Sequence, residues 1–210
     1  MKLRKYLSFM SALLTVFLLA SCGFEAENKS STSVTNNIDV STIGTDPVKA
    51  TTGKVLVAYF SATGTTEAVA GYIKEAVQAD IYEIIPSAPY TAADLNYSDT
   101  NSRATSEQRD KSARPAISGS VENIGAYDVI FIGYPIWFGQ APRIISTFME
   151  SYDLNEKTII PFCTSGGSGI GSSDIELHGL ASGATWKEGK RFAGGTAEDA
   201  VAEWAESCID

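Results

Sequence analysis

The chain reads as an α/β protein: a doubly wound, five-stranded parallel sheet with helices on both faces. Three observations predict this. Strand-like and helix-like segments alternate from Lys54 to the C-terminus, the pattern of a layered α/β domain. The strands Lys54–Phe60, Tyr127–Gly133 and Ile159–Cys163 are almost wholly apolar and rich in β-branched and aromatic residues, as strands covered on both faces must be. Unusual loops follow each of these strands. Open parallel sheets bind ligands at that edge, beyond the C-terminal strand ends.

The elements follow in order. Residues 1–21 are expected to lie outside the fold. Lys2, Arg4 and Lys5 give a basic start, and Leu13 to Ala20 an apolar run too short to span a bilayer as an ordinary helix. Leu19-Ala20-Ser21-Cys22 then resembles the lipobox of bacterial lipoproteins. That resemblance implies a signal peptide over 1–21, cleavage before Cys22 and lipid on its sulfur. The expected location is therefore the bacterial cell envelope, with the exported protein anchored by lipid. Residues 22–53 are rich in Ser, Thr and Asn and poor in large apolar side chains, so they read as a flexible tether. The folded domain is expected over 54–210.

The first strand, Lys54–Phe60, runs into Ser61-Ala62-Thr63-Gly64-Thr65-Thr66. A helix over Thr65–Val77 follows, with Val69, Tyr72, Ile73 and Ala76 spaced along one face. Asp80–Ile85 alternates and stops at Pro86, giving a second strand. Pro86–Asn123 is long, polar and without strong period, with a short helix expected over Ser106–Ser112. Connections of this length are often functional, and a role in covering a ligand is open beside plain solvated charge. The third strand, Tyr127–Gly133, leads to Tyr134-Pro135-Ile136-Trp137-Phe138-Gly139-Gln140-Ala141-Pro142. Pro142 suits the first turn of a helix whose apolar face is Ile144, Ile145, Phe148, Met149 and Tyr152. The fourth strand, Ile159–Cys163, opens into Thr164-Ser165-Gly166-Gly167-Ser168-Gly169. A weakly amphipathic helix is expected over Ser172–Leu180 and a fifth strand over Trp186–Phe192. Thr196-x-x-Asp199 forms a capping-box pattern. The last helix places Val201, Trp204, Ala205 and Cys208 on one face.

Charge narrows the partners. Removing residues 1–21 takes away three cations and no acid, which moves the formal charge from −9 to −12. Such an acidic chain argues against nucleic acid and for basic or neutral partners, beside the plainer reading that the charge serves solubility. There is no C-x-x-C and only one histidine, His178, which argues against a transition-metal site. Cys163 and Cys208 fit either a disulfide formed after export or two buried small hydrophobes. No catalytic acid, base or nucleophile stands out.

The three loops carry the chemistry. The first places hydroxyls and a glycine where a strand feeds a helix, and free N–H groups at a helix N-terminus attract anions. It lacks both G-x-x-x-x-G-K-[ST] and G-x-G-x-x-G, which argues against an ATP loop and a dinucleotide fingerprint. Its Ser and Thr could instead simply cap the helix. The second loop offers the aromatic faces of Tyr134, Trp137 and Phe138, able to stack on a flat ring or to form a protein contact. The third is small and glycine-rich, so its amides can approach a polar ring edge. One ligand class satisfies all three: a flat polar heterocycle bearing a phosphate.

At these loops the sequence resembles the flavodoxin family. The matching residues are Val55–Tyr59 leading to Ser61-Ala62-Thr63-Gly64-Thr65-Thr66, the segment Gly133-Tyr134-Pro135-Ile136-Trp137, and Thr164-Ser165-Gly166-Gly167. The resemblance spans about 54–210. It implies a flavodoxin-like sheet in the order 2-1-3-4-5, FMN as cofactor and electron transfer through the flavin. By position, Ser61, Ala62, Thr63, Gly64, Thr65 and Thr66 would take the phosphate. Pro135, Ile136, Trp137, Phe138 and Gly139 would flank the ring. Thr164, Ser165, Gly166, Gly167 and Gly169 would meet its polar edge or the ribityl chain. The partner would be a redox protein or a small-molecule acceptor, with the membrane reached through the lipid and the oligomeric state open. Three alternatives stand beside an envelope-tethered electron carrier: an NAD(P)H-dependent quinone-type reductase, a non-redox binding module that keeps the fold, and an interaction protein that docks through Trp137.

Overall fold

A computed structural model describes residues 53–210. The expected signal peptide, Cys22 and the tether up to residue 52 lie outside the described residues. Among the described residues, no helix is long and apolar enough to cross a membrane.

The apolar runs become the strands at the centre of the sheet. The elements, in chain order, are β1 (Lys54–Tyr59), α1 (Thr65–Val77), β2 (Asp80–Glu83), β3 (Ile85–Pro86), α2 (Arg103–Arg109), β4 (Ile117–Ser118), β5 (Tyr127–Pro135), α3 (Arg143–Glu150), β6 (Thr158–Thr164), α4 (Ile175–His178), β7 (Thr185–Trp186), β8 (Lys190–Phe192) and α5 (Glu198–Ile209). The main sheet runs β2-β1-β5-β6-β7, and β8 also pairs with β6. Every pairing in it is parallel. Apolar residues fill both faces. Phe60, Ile132, Tyr134, Ile144, Ile145 and Phe148 pack on one side with α2, α3 and α4. Val57, Val69, Ile73, Phe131, Phe162 and Val201 pack on the other with α1 and α5. All three strand-end loops therefore leave the sheet at one edge.

The structure departs from the sequence expectation at specific places. The fifth strand is split into β7 and β8. Ile159 accepts a bond from the Lys187 amide and Lys157 one from the Thr185 amide, so odd-numbered residues of this stretch face that neighbour. Pro161 faces it too, and proline has no N–H to contribute to the ladder. Gly189 crosses there so closely that a β carbon on it would lie 2.9 Å from the Pro161 carbonyl oxygen. The order 2-1-3-4-5 holds once β7 and β8 are taken as two halves of one strand.

The second strand ends at Glu83 rather than Ile85. Ile85 and Pro86 turn away to pair antiparallel with β4. β2 is an edge strand, and its Ile81 is 42% exposed. The helix expected over 106–112 starts at Arg103, because Ser102 accepts from the Thr105 amide as N-cap. It ends where Asp110 turns extended. The helix expected over 172–180 shrinks to the four residues of α4. Pro142 is the N-cap of α3 rather than part of its first turn. The capping box does not form: Thr196 donates its hydroxyl to the Ala193 carbonyl (2.8 Å), and Ala197 precedes α5. Cys163 and Cys208 are both free and belong to the cores on opposite faces of the sheet, which settles them as packing residues.

Candidate functional site

The strand ends of β1, β5 and β6 converge on a cleft of about 540 Å³, within the size range of small-molecule sites. Ser61, Ala62, Thr63, Thr65 and Thr66 line it from the first loop, Pro135, Ile136 and Trp137 from the second, and Thr164, Ser165 and Gly166 from the third. Leu95 and Tyr97 reach it from the long 86–123 segment, and Gly194 from the loop before α5. None of these lining residues is charged.

The first loop answers the capping question. The N-cap of α1 is Gly64, at φ +83°, and no side chain caps the helix. Such a φ is open to glycine at little cost. The Ser61 hydroxyl accepts from the Gly64 amide at 3.1 Å, which folds the loop back on itself. The first bond of the helix runs from the Ala68 amide to the Gly64 carbonyl (3.1 Å). The amides of Thr65, Thr66 and Glu67 therefore have no acceptor inside the helix. They stand at the positive end of a 13-residue helix beside the cleft, a disposition suited to an anion. Thr66 does not reach outward: its hydroxyl shares a buried 2.8 Å hydrogen bond with that of Thr164, joining the first loop to the third.

The second loop is a tight turn. The Trp137 amide donates to the Gln140 carbonyl (2.9 Å) and the Gln140 amide to the Trp137 carbonyl (3.0 Å). Phe138 and Gly139 between them have φ +51° and +78°, the signature of a type I′ turn. A bulky residue at positive φ is uncommon. The turn is held from behind by Gln108 of α2. Its Nε2 donates to the carbonyls of Trp137 and Ala141, each at 3.1 Å, and its Oε1 accepts from the Arg143 amide at 3.1 Å. Arg143 is buried and adds Nη2 bonds to the Gln140 side chain (2.8 Å) and the Gln108 carbonyl (3.1 Å). Its Nη1 donates to Glu176 (3.1 Å). The Arg143 contact, with Lys111 behind it, holds the Glu176 carboxyl below its ordinary 4.5.

Trp137 contrasts with the sequence expectation of a broad stacking face. It is 3% exposed, wedged edge-on between Phe60 (5.4 Å, 84°) and Tyr90 (5.1 Å, 82°). Tyr90 donates its hydroxyl to Glu107 (2.5 Å) and lies under the Arg103 guanidinium (4.0 Å). Burial and the Glu107 bond push its phenol well above the ordinary tyrosine value. Tyr134 lies within the core, its hydroxyl bonded to Ser173 (3.1 Å), and offers the cleft no face.

The third loop is fixed by a residue that the sequence did not single out. Arg191 donates from Nη2 to the Ser165 carbonyl (2.6 Å) and from Nε to its hydroxyl (3.1 Å). The Ser165 amide donates to the Phe192 carbonyl (3.2 Å), and the Thr164 carbonyl accepts from the Ile136 amide (2.9 Å). Cys163, just beneath, is inert as a nucleophile because burial pushes its thiol up to about 12.

The family model described as Flavodoxin matches residues 54–208. This chain belongs to the flavodoxin family. A candidate flavoprotein of Bacteroides eggerthii is 50% identical, over 74% of this chain and 97% of that one, with a TM-score of 0.69. A candidate flavoprotein of Bacteroides uniformis is 46% identical, over 73% and 98%, with a TM-score of 0.70. A flavoprotein of Lactobacillus acidophilus in complex with FMN shares the fold at 21% identity, over 73% and 99%, with a TM-score of 0.56. No curated protein matches the chain.

In this flavodoxin, most residues expected at the site line the cleft. Gly64, Phe138, Gly139, Gly167 and Gly169 do not. Gly64 shapes the helix entry, and Phe138 faces a separate 150 Å³ cavity beside Gln108. Leu95, Tyr97, Gly194, Gln108, Arg143 and Arg191 were missed. Leu95 and Tyr97 did leave a trace, as large apolar residues in a polar stretch. Arg191 left none.

Proposed function

We propose that the cleft binds FMN and that this flavodoxin is an electron-transfer protein or oxidoreductase tethered to the bacterial envelope. One observation carries the reading: the uncapped N-terminus of α1 opens beside a cleft that is apolar at Pro135, Ile136 and Trp137 and polar at Thr164–Gly166. A phosphate, a flat ring and a polar ring edge each meet matching chemistry there.

The donor set fits the group. The amides of Thr65, Thr66 and Glu67 and the hydroxyls of Ser61, Thr63 and Thr65 would hold the phosphate through neutral donors and the helix dipole. Ile136, Trp137 and Leu95 would exclude water from the ring. The glycine at 166 leaves open space, since a β carbon there would meet nothing within 4 Å, so a polar edge can approach its backbone. The bound cofactor would supply one- and two-electron transfer. The chain's residues would position it and set the dielectric around it. The tether rests on Leu19-Ala20-Ser21-Cys22 and the polar stretch behind it.

The test is the visible spectrum of the purified protein, followed by denaturation. A yellow protein that releases one FMN per chain supports the reading. A colourless protein that does not take up added FMN overturns it and favours a binding module. Steady-state NAD(P)H oxidation then separates a reductase from a carrier. For the tether, labelled fatty acid should enter the wild-type protein and not Cys22→Ala. Equal labelling of the two would refute attachment at Cys22.

A further inference from the structure

We infer that Tyr97, carried by the long segment between β2 and β5, is the aromatic residue that stacks on the ring of the ligand in the cleft. This inference rests on the FMN reading above. Trp137 cannot supply a broad face, because its ring is clasped edge-on by Phe60 and Tyr90 and is 3% exposed. Tyr97 lines the same cleft and is 52% exposed. Its ring meets that of Phe138 at 5.0 Å and 66°, so one edge is seated while much of the ring remains free. An aromatic face on a flat heterocycle is the arrangement that ring electrostatics favour.

The position of Tyr97 is built. Asp94 Oδ2 accepts from the amide (2.8 Å) and hydroxyl (2.7 Å) of Thr91. The Asp94 carbonyl accepts from the Ala104 amide at the start of α2 (3.0 Å). Asn96 Oδ1 accepts from the Ser98 amide across Tyr97 (3.0 Å), and on the far side the Asp99 carbonyl accepts the Thr105 hydroxyl (3.1 Å). The turns around Tyr97 are thus fixed to α2, which also carries Gln108 against the second loop. Phe138 gains a role from the same arrangement. A bulky side chain at φ +51° is held where its ring can brace Tyr97, and strain at such a position points to function.

The experiment titrates FMN into the flavin-free full chain and reads both the dissociation constant and the residual emission of bound flavin, which aromatic stacking quenches. Wild type, Tyr97→Ala, Tyr97→Leu and Tyr97→Phe are compared, with thermal melts to confirm folding. Tyr97→Ala and Tyr97→Leu should bind about tenfold more weakly and leave the bound flavin brighter, while Tyr97→Phe behaves as wild type. Leucine preserves apolar bulk, so a brighter flavin in that variant reports the lost ring itself. Unchanged affinity and emission in both Tyr97→Ala and Tyr97→Leu would overturn this inference alone. A wild type that binds no FMN would overturn the cofactor reading and this inference with it.

Discussion

Gln108→Leu tests how the second loop is held. The side chain is 7% exposed and makes three hydrogen bonds, all at 3.1 Å. Leucine keeps much of the volume and removes every one. Not all of the stranded groups are equally exposed to loss. The Trp137 carbonyl keeps its bond from the Gln140 amide. The Ala141 carbonyl and the Arg143 amide lose the partner that Gln108 gave them. A buried polar group left without a partner costs about 1–3 kcal/mol. Some water can enter through the small cavity beside Phe138, which pulls the sum toward the lower half. The expected loss is about 2–4 kcal/mol for the two groups, or roughly 10 °C in melting temperature for a domain of this size. Urea unfolding at 25 °C, followed by tryptophan emission, measures it. Gln108→Glu adds a sharper arm. An ionised carboxylate would face two carbonyls, whereas a protonated one can donate to one of them. That variant should be weakened at neutral pH and recover as pH falls through its raised pKa. A loss under about 1 kcal/mol in Gln108→Leu, with no pH-dependent recovery in Gln108→Glu, would refute the account of the turn.

Three other outcomes follow from the same geometry. Thr66→Val and Thr164→Val each strand one hydroxyl of a buried pair, and the double variant strands neither. The double-mutant cycle should show a coupling of about 1 kcal/mol by urea unfolding, and an additive cycle would show that the pair does not join the loops. Gly133→Ala puts a β carbon 2.1 Å from the Phe162 ring. It should cost roughly 3 kcal/mol or more, read as a large drop in urea midpoint. A near-neutral result would mean that Phe162 has room to move. Glu176, held below 4.5 by Arg143 and then Lys111, contributes stability that is complete above 4.5 and lost as pH falls through the lowered folded value. Glu176→Gln should therefore flatten the acid limb of the stability profile in that window. An unchanged limb would show that the ion pair does not matter there.

What the sequence revealed about the fold depended on how local the cause was. α1 carries its own apolar spacing and begins just after Gly64, so Thr65–Val77 could be read directly. The central strands β1, β5 and β6 are buried on both faces, and their apolar runs are long enough to stand alone. The edges resisted. β7 and β8 are separated by a missing amide on a neighbouring strand, at Pro161, and nothing within 185–192 announces it. β2 ends two residues early because Ile85 and Pro86 pair with Ile117 and Ser118, more than thirty residues away in sequence. The box Thr196-x-x-Asp199 was a sound local pattern that lost to a turn bond onto Ala193.

The cleft divides along the same line, and the division says something about how the site is built. The residues nearest the anion end were legible because the strand–loop–helix unit Lys54–Val77 makes that end from contiguous chain. The far end is assembled from distance. Trp137 is covered by Tyr90, its turn is fastened by Gln108, and the free aromatic face belongs to Tyr97. All three lie in the polar 86–123 stretch that composition alone would assign to solvent. A segment of mixed charge earns its order here through paired groups: Arg103 with Glu107, Arg114 with Glu150, and Lys111 with Glu176. The Arg103–Glu107 pair is half-buried beside Tyr90, whereas the other two lie nearer solvent, where such pairs contribute little stability individually. Their effect is positional, since each fixes one point of a long connection so that a few apolar side chains arrive at the cleft. Neutralising one pair should therefore change the order of the segment around Tyr97 more than the stability of the sheet, measured as amide exchange over 90–101 against that of β5. Equal changes in both would mean that the segment and the sheet open as one unit.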